Sequence, residues 1–151
     1  MKQFLEKASK SFELVLFTAA RKEYADTIVD RIDPMKRYFH ARLYRQHCEQ
    51  VGGSSIIYPE YYVKNIKSVM NRALRDCIII DNLIYSFAST MANGILIKPF
   101  LMMGQDEELR YLSGILERWK PNTDSKYFIE RELNQREFFK HAGLNNHSHW
   151  Y

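Results

Sequence analysis

An α/β fold, with parallel strands flanked by helices, is predicted from three features of the sequence. The stretch Cys77-Ile78-Ile79-Ile80-Asp81-Asn82 sets three β-branched apolar residues before an acid and an amide. Such a run reads as a fully buried strand that delivers its carboxylate to the C-terminal end. Leu14-Val15-Leu16-Phe17-Thr18 has the same form and ends in a hydroxyl. Helix-periodic segments follow these runs, and strand–helix alternation of this kind argues for parallel βα units. In open α/β sheets ligands bind at the carboxyl ends of the strands, where loops and helix N-termini converge. Each strand end taken alone reads as ordinary, with Thr18 capping the next helix and Asp81 opening a turn. Taken together, and with Lys64 between them in sequence, they predict a polar site at the rim of a dry sheet.

The elements follow in order. Phe4, Leu5 and Ala8 recur at helical spacing, so the first ten residues form an amphipathic helix. No strand precedes that helix, and Met1 is therefore expected to be the start of a shortened chain. After the strand ending at Thr18, a helix is predicted from about Arg21 to Ile32, with Tyr24, Ala25, Ile28, Val29 and Ile32 as its apolar stripe. Asp33-Pro34 stops it. Phe39 to Arg45 alternates with period two, as a half-exposed strand does. Gly52-Gly53-Ser54-Ser55 supplies a turn, after which Ile56-Ile57-Tyr58 and Tyr61-Tyr62-Val63 can return beside that strand. This is a β-rich insertion, with Pro59 confining it to an edge or bulge. Lys64 stands where the return ends. Ile66, Val69, Met70, Ala73 and Leu74 share one helical face, and the Cys77–Asp81 strand follows.

Asn93-Gly94 marks a turn after a mixed segment, and Ile95-Leu96-Ile97 is a further short buried strand. Gln105 to Trp119 is the clearest helix, striped by Leu109, Leu112, Ile115, Leu116 and Trp119. Asp106, Glu107 and Glu108 suit its positive N-terminus. Residues 125–140 are charged but carry Phe128, Ile129, Leu133 and Phe138, consistent with a helical extension. His141, His147 and His149 fit a frayed polar terminus better than a metal site.

The 151 residues are 46% hydrophobic and 26% charged, which suits one compact domain. No stretch approaches the roughly 18 to 20 apolar residues of a membrane span. The mixed acid and base of Met-Lys-Gln-Phe-Leu-Glu-Lys is unlike a secretory leader, and early Glu6 and Glu13 are unlike a transit peptide. Cys48 and Cys77 give neither a disulfide framework nor metal spacing, so free thiols in a reducing compartment are expected. The net charge of +4 is mild and scattered, which fits a small anionic group or an acidic peptide better than duplex DNA.

Five short motifs occur in a telling order: Phe-Glu-Leu-Val-Leu-Phe-Thr-Ala-Ala at 12–20, Tyr24-Ala25-Asp26, Ala41-Arg42-Leu43-Tyr44-Arg45, Tyr62-Val63-Lys64 and Ile80-Asp81-Asn82. In that order, over about residues 3 to 119, the chain resembles the RNA polymerase II C-terminal-domain (CTD) phosphatases. These include the small CTD phosphatases and the Dullard-like, nuclear envelope phosphatases of the haloacid dehalogenase-like superfamily.

The resemblance implies a Rossmann-like (haloacid dehalogenase-like) parallel sheet flanked by helices, with the β-rich insertion and the C-terminal helical extension. Residues 1–120 would form the phosphatase-like domain and 121–151 the extension. It implies a magnesium-dependent phosphatase that acts on phosphoserine or phosphothreonine, of Ser/Thr-Pro type, through an aspartyl-phosphate. Thr18 matches the family's second motif, whose hydroxyl and following amides hold the phosphate at a helix N-terminus. Lys64 matches the lysine that neutralises the phosphoryl oxygens and the attacked aspartate; by its residue context alone it would be a solvated edge lysine. Asp81 matches the acid that holds magnesium, with Asn82 its neighbouring ligand or orienting amide. Tyr24 and Arg45 match residues lining the peptide groove; a helix-stripe aromatic and an exposed strand arginine are the other readings of them.

The chain also departs from the family pattern. The Asp-x-Asp-x-Thr motif, with the nucleophile and the general acid, lies in the family on a strand before the first helix, and no Asp-x-Asp occurs in these 151 residues. The magnesium site is accordingly expected to be incomplete and this form inactive. Leu83-Ile84 stands where the family continues Ser-Pro, and the segment between Arg45 and Lys64 is longer than in the small phosphatases. The alternative is a non-catalytic peptide- or protein-binding module, as in relatives within the mitochondrial import translocase. No direct nucleic-acid partner is expected, and an intracellular setting, nuclear or cytoplasmic rather than mitochondrial, is preferred.

Overall fold

A computed structural model describes residues 1–53, 60–69, 71–101 and 106–133. Its elements are mixed α and β: α1 (Lys2–Ala8), β1 (Leu14–Phe17), α2 (Lys22–Ile32), β2 (Phe39–Leu43), β3 (Glu49–Val51) and β4 (Tyr61–Val63). They continue with α3 (Ile66–Val69), β5 (Ile79–Asp81), β6 (Gly94–Leu96), α4 (Glu108–Leu116) and α5 (Ser125–Leu133). Each predicted helix and strand that falls on described residues is present, usually a few residues shorter than its periodicity suggests. Ile56-Ile57-Tyr58, Phe138 and the three C-terminal histidines lie outside the described residues.

The strands form three pairs. β1 runs parallel to β2 and β5 parallel to β6, whereas β3 and β4 are antiparallel. Among the described residues no hydrogen-bonded ladder joins the two parallel pairs. This accounts for a departure from the sequence reading: all four residues of β1 are half-buried rather than fully buried. A strand with one partner and one open edge keeps part of its apolar surface accessible. The Phe39–Leu43 strand also takes a different neighbour. It pairs with β1 and not with the returning Tyr61–Val63, which pairs instead with Glu49–Val51 across a turn containing Gly52 and Gly53 at φ 81° and 92°. Both positions are in the left-handed region that glycine adopts without a Cβ clash.

The helix predicted from Ile66 to Leu74 is cut short, with α3 ending at Val69 and a 3₁₀ turn at Leu74–Asp76. Its last predicted residue is held by tertiary bonds instead. The Leu74 carbonyl accepts from the Asn93 side chain at 2.7 Å, the Ser125 hydroxyl at 3.1 Å and the Cys77 N–H at 3.0 Å. Asn93 and Ser125 are themselves buried, so this polar knot fixes the chain ahead of β5.

The main core gathers Ile95, Leu112, Ile115, Leu116, Phe128 and Ile129, with Phe4 of α1 and Ile78 and Ile80 of the β5 segment against it. Phe12, Trp119 and Phe128 stack in series, with centroids 5.6 Å apart at each step. A smaller cluster of Ile66, Ile79 and Phe87 lies on the other face of β5, as period-two alternation along a strand requires. Gly94 is obligatory there, because a Cβ would fall 2.2 Å from the Phe87 ring.

Between α2 and β2 the chain turns on Asp33, which is 1% exposed. Its carboxylate accepts the backbone N–H groups of Arg37 at 2.7 Å, Tyr38 at 3.0 Å and Phe39 at 3.4 Å. Burial pushes its pKa up, but these amides together with the Arg42 charge hold it below the ordinary 3.8. Its contribution to stability is therefore complete above that value and is lost as pH falls through the lower folded one. Replacing Asp33 by Ala should cost about 2–4 kcal/mol, because the buried amides lose their acceptor. Urea unfolding checks this, and Asp33→Asn should flatten the acid limb of stability against pH.

Candidate functional site

The polar site forms where β4, β5 and the Thr18 loop end. Lys64 follows β4 and Asp81 is the last residue of β5, 17 positions apart. Their side chains form an ion pair, with 11% and 7% of their surfaces exposed. Backbone bonds aim both groups. The Lys64 N–H donates to the Ser86 carbonyl at 2.6 Å, and the Leu83 N–H donates to Asp81 Oδ1 at 2.8 Å. Lys64 is thus no solvated edge lysine. Burying two charges is costly unless they are paired; here they are, and the Leu83 N–H gives Asp81 a second hydrogen bond.

Thr18 leaves β1 with its N–H bonded to the Leu43 carbonyl at 2.9 Å, and its hydroxyl accepts the Ala20 N–H at 3.1 Å. The hydroxyl therefore shapes the loop before α2, while Arg21 takes the N-cap position. Arg45 closes this loop from the opposite strand end. Its N–H and Nε donate to the Ala20 and Ala19 carbonyls at 3.0 and 2.7 Å, and its guanidinium lies 4.7 Å from the Tyr62 ring centroid. It sits half-buried in a 3₁₀ turn, not exposed on a strand.

Cys48 links the two halves of the site. Its thiol lies 3.9 Å from the Thr18 carbonyl, within electrostatic reach of Lys64, Arg45 and Asp81. Burial raises its pKa, and the pull of the two cations does not reverse this. The sequence reading treated Cys48 only as a free thiol; its position three residues after Arg45 was the available signal. The Cys48 thiol thus touches the Thr18 loop and feels the charges of Lys64, Arg45 and Asp81.

Tyr24 projects from the first turn of α2 and is 66% exposed, so it does not belong to the apolar stripe, which Ala25 and Val29 supply. Asp26, two residues on, accepts from Lys22, from Arg42 at 3.0 Å and from the Tyr44 hydroxyl at 2.7 Å. The Lys22 hydrogen bond, then those of Tyr44 and Arg42, hold its carboxyl well below the usual carboxylate range. Asp26 thereby fastens α2 to β2. Asn82 is exposed and lines a cleft of about 610 Å³ that also meets Phe4, Lys7, Lys98 and Glu108. Thr18, Lys64 and Asp81 do not line that cleft, so the ion pair rather than this cavity marks the site.

A lysine–carboxylate pair at the carboxyl end of a parallel strand, beside a threonine loop opening a helix, defines an α/β protein with a polar strand-end site. The chain belongs to the NLI interacting factor-like phosphatase family, whose pattern matches residues 1–126. It is 36% identical over 117 residues to CTD small phosphatase-like protein 3 of Caenorhabditis elegans, covering 78% of this chain and 38% of that protein. It is 33% identical over 132 residues to CTD nuclear envelope phosphatase 1 of Xenopus laevis, covering 87% and 51% respectively. Nuclear envelope morphology protein 1 of Saccharomyces cerevisiae is 31% identical over 139 residues, 89% of this chain and 31% of that protein. The chain thus spans about half or less of the length of these relatives. Among the described residues no helix is long and apolar enough to cross a membrane.

Lys64→Ala should destabilise the fold by about 3–5 kcal/mol by leaving the Asp81 carboxylate buried without its partner. The double replacement Lys64→Met with Asp81→Leu should recover much of that loss. Guanidinium unfolding of the three variants measures both effects.

Proposed function

We propose that this chain binds the phosphate of a phosphoserine or phosphothreonine in a protein or peptide, and that these 151 residues hold it without hydrolysing it. The observation that carries the reading is the buried Lys64–Asp81 pair at the carboxyl end of a parallel strand, in a chain of a phosphatase family. Lys64 has three N–H donors and Asp81 engages one of them, so the ammonium has further donors for phosphate oxygens. The amides after Thr18 and the N-terminus of α2 add partial positive charge. Tyr24 supplies an exposed ring and Arg45 a cation for the peptide around the phosphate.

Turnover by the aspartyl-phosphate route requires a carboxylate that attacks phosphorus, and the 151 residues hold no Asp-x-Asp pair. The β1–β2 and β5–β6 pairs are, on this reading, two halves of one Rossmann-like sheet, each with an edge able to accept a further parallel strand. The half-burial of every β1 residue supports this. The implied magnesium fits these residues poorly. Both Asp81 oxygens are already hydrogen-bonded, and among the described residues no three His, Cys, Asp or Glu gather as ligands. Phosphate holding is therefore assigned to Lys64 and the Thr18 loop.

The alternative, a permanently non-catalytic binding module, is favoured by the same lack of an Asp-x-Asp pair. The nuclear-envelope names of two relatives support a nuclear or cytoplasmic setting.

One paired assay tests the proposal. The 151-residue chain should bind a Ser/Thr-Pro phosphopeptide in preference to its unphosphorylated form, with or without magnesium, and release no phosphate. Tyr24→Ala and Arg45→Ala should each weaken binding. A chain extended at its N-terminus by a strand carrying Asp-x-Asp-x-Thr should gain magnesium-dependent release, which Lys64→Ala or Asp81→Asn largely abolishes. Release by the 151-residue chain would overturn the reading that it lacks a nucleophile. An inert extended chain would favour the binding-module reading.

A further inference from the structure

Two tyrosines stand on the two segments that deliver the buried ion pair. Tyr61 opens β4, three residues before Lys64, and is 40% exposed. Tyr85 lies between Leu83, whose N–H holds Asp81, and Ser86, whose carbonyl holds the Lys64 N–H; it is 41% exposed. Their ring centroids are 5.2 Å apart, with planes inclined at 56°. Leu83, two residues from Tyr85, is also 41% exposed. An exposed aromatic pair is not explained by core packing, since neither ring belongs to either buried cluster. Tyr85 is flanked by the backbone bonds that aim Lys64 and Asp81, and Tyr61 is held in the β3–β4 ladder opposite Val51.

We infer that Tyr61, Tyr85 and Leu83 form a specificity subsite that takes a bulky apolar side chain, aromatic above all, flanking the phosphorylated residue of a bound peptide. The inference rests on the phosphate-binding reading of Lys64 and extends it to the peptide's neighbouring residue. Continuity argues for this occupant: a phosphoresidue held at Lys64 must carry its flanking residues along β4 or the segment after β5, the two elements that bear these rings. Chemistry selects its type. The three side chains carry no charge, so they offer a charged flanking residue no ion pair. A tilted pair of rings gives an incoming ring both stacked and edge-on contacts. Tyrosine also contributes such area at little conformational cost, having two side-chain torsions to fix.

The test is a titration of the 151-residue chain with fluorescent phosphoserine peptides in which Phe, Leu, Ala or Lys is placed at each neighbouring position in turn. At one position Phe should bind roughly tenfold more tightly than Ala, with Leu between and Lys no better than Ala. Tyr61→Ala with Tyr85→Ala should remove that preference while keeping the preference for phosphorylated over unphosphorylated peptide. Tyr61→Phe with Tyr85→Phe should retain it, since the ring faces and not the hydroxyls make the contact. A preference that survives the alanine pair, or is lost in the phenylalanine pair, overturns the inference. So does a Lys preference, which would mark a cation site, or a concentration-dependent dimer abolished by the alanine pair, which would mark a contact between copies. If phosphorylated and unphosphorylated peptides bind equally, the phosphate-binding reading fails instead, and a surviving Phe preference would mark an ordinary peptide groove.

Discussion

The Lys64–Asp81 ion pair is the constraint on which the rest of the structure depends. Two charges withdrawn from water are tolerable only when held against each other in a fixed geometry. The chain meets that demand by bonding the Lys64 N–H to Ser86 and Asp81 Oδ1 to the Leu83 N–H. The carboxyl end of β5, the end of β4 and the turn after Asp81 are thereby tied into one unit. Everything offered to a ligand near that point, from the lysine donors to the exposed tyrosines, inherits its position from this unit.

The other half of the site is held by different means. Its loop from Thr18 to Ala20 is closed by Arg45, whose two bonds to backbone carbonyls and contact with Tyr62 join the first parallel pair to the β3–β4 hairpin. Asp26 locks α2 to β2 through Arg42 and Tyr44. Charged residues here do architectural work because β1 is only half-buried and cannot be anchored by apolar packing alone. Cys48, whose thiol lies 3.9 Å from the Thr18 carbonyl, ties the Thr18 loop to the start of β3.

Much of this was legible in the chain. The continuous apolar runs before Asp81 and Thr18 gave their strands, and the spacing of Leu112, Ile115 and Leu116 gave their helix, since a helix must repeat its apolar residues to bury one face. The motif order gave the family. Less legible were partners and ends. Nothing local shows that α3 stops at Val69 or that the Leu74 carbonyl is claimed by Asn93 and Ser125. Nor does alternation in Phe39–Leu43 say whether its neighbour is β1 or β4, since the same pattern suits either pairing.

By itself, then, the sequence determined the identity and order of the elements and the residues at their ends, because these follow from spacing within a few turns of chain. Tertiary structure alone decided that Lys64 is buried and paired, that Tyr24 faces solvent rather than the core, and that Tyr61 and Tyr85 meet although 24 positions separate them. Those outcomes depend on which strand ends come together. Contacts so distant along the chain leave no periodic trace in the residues between them.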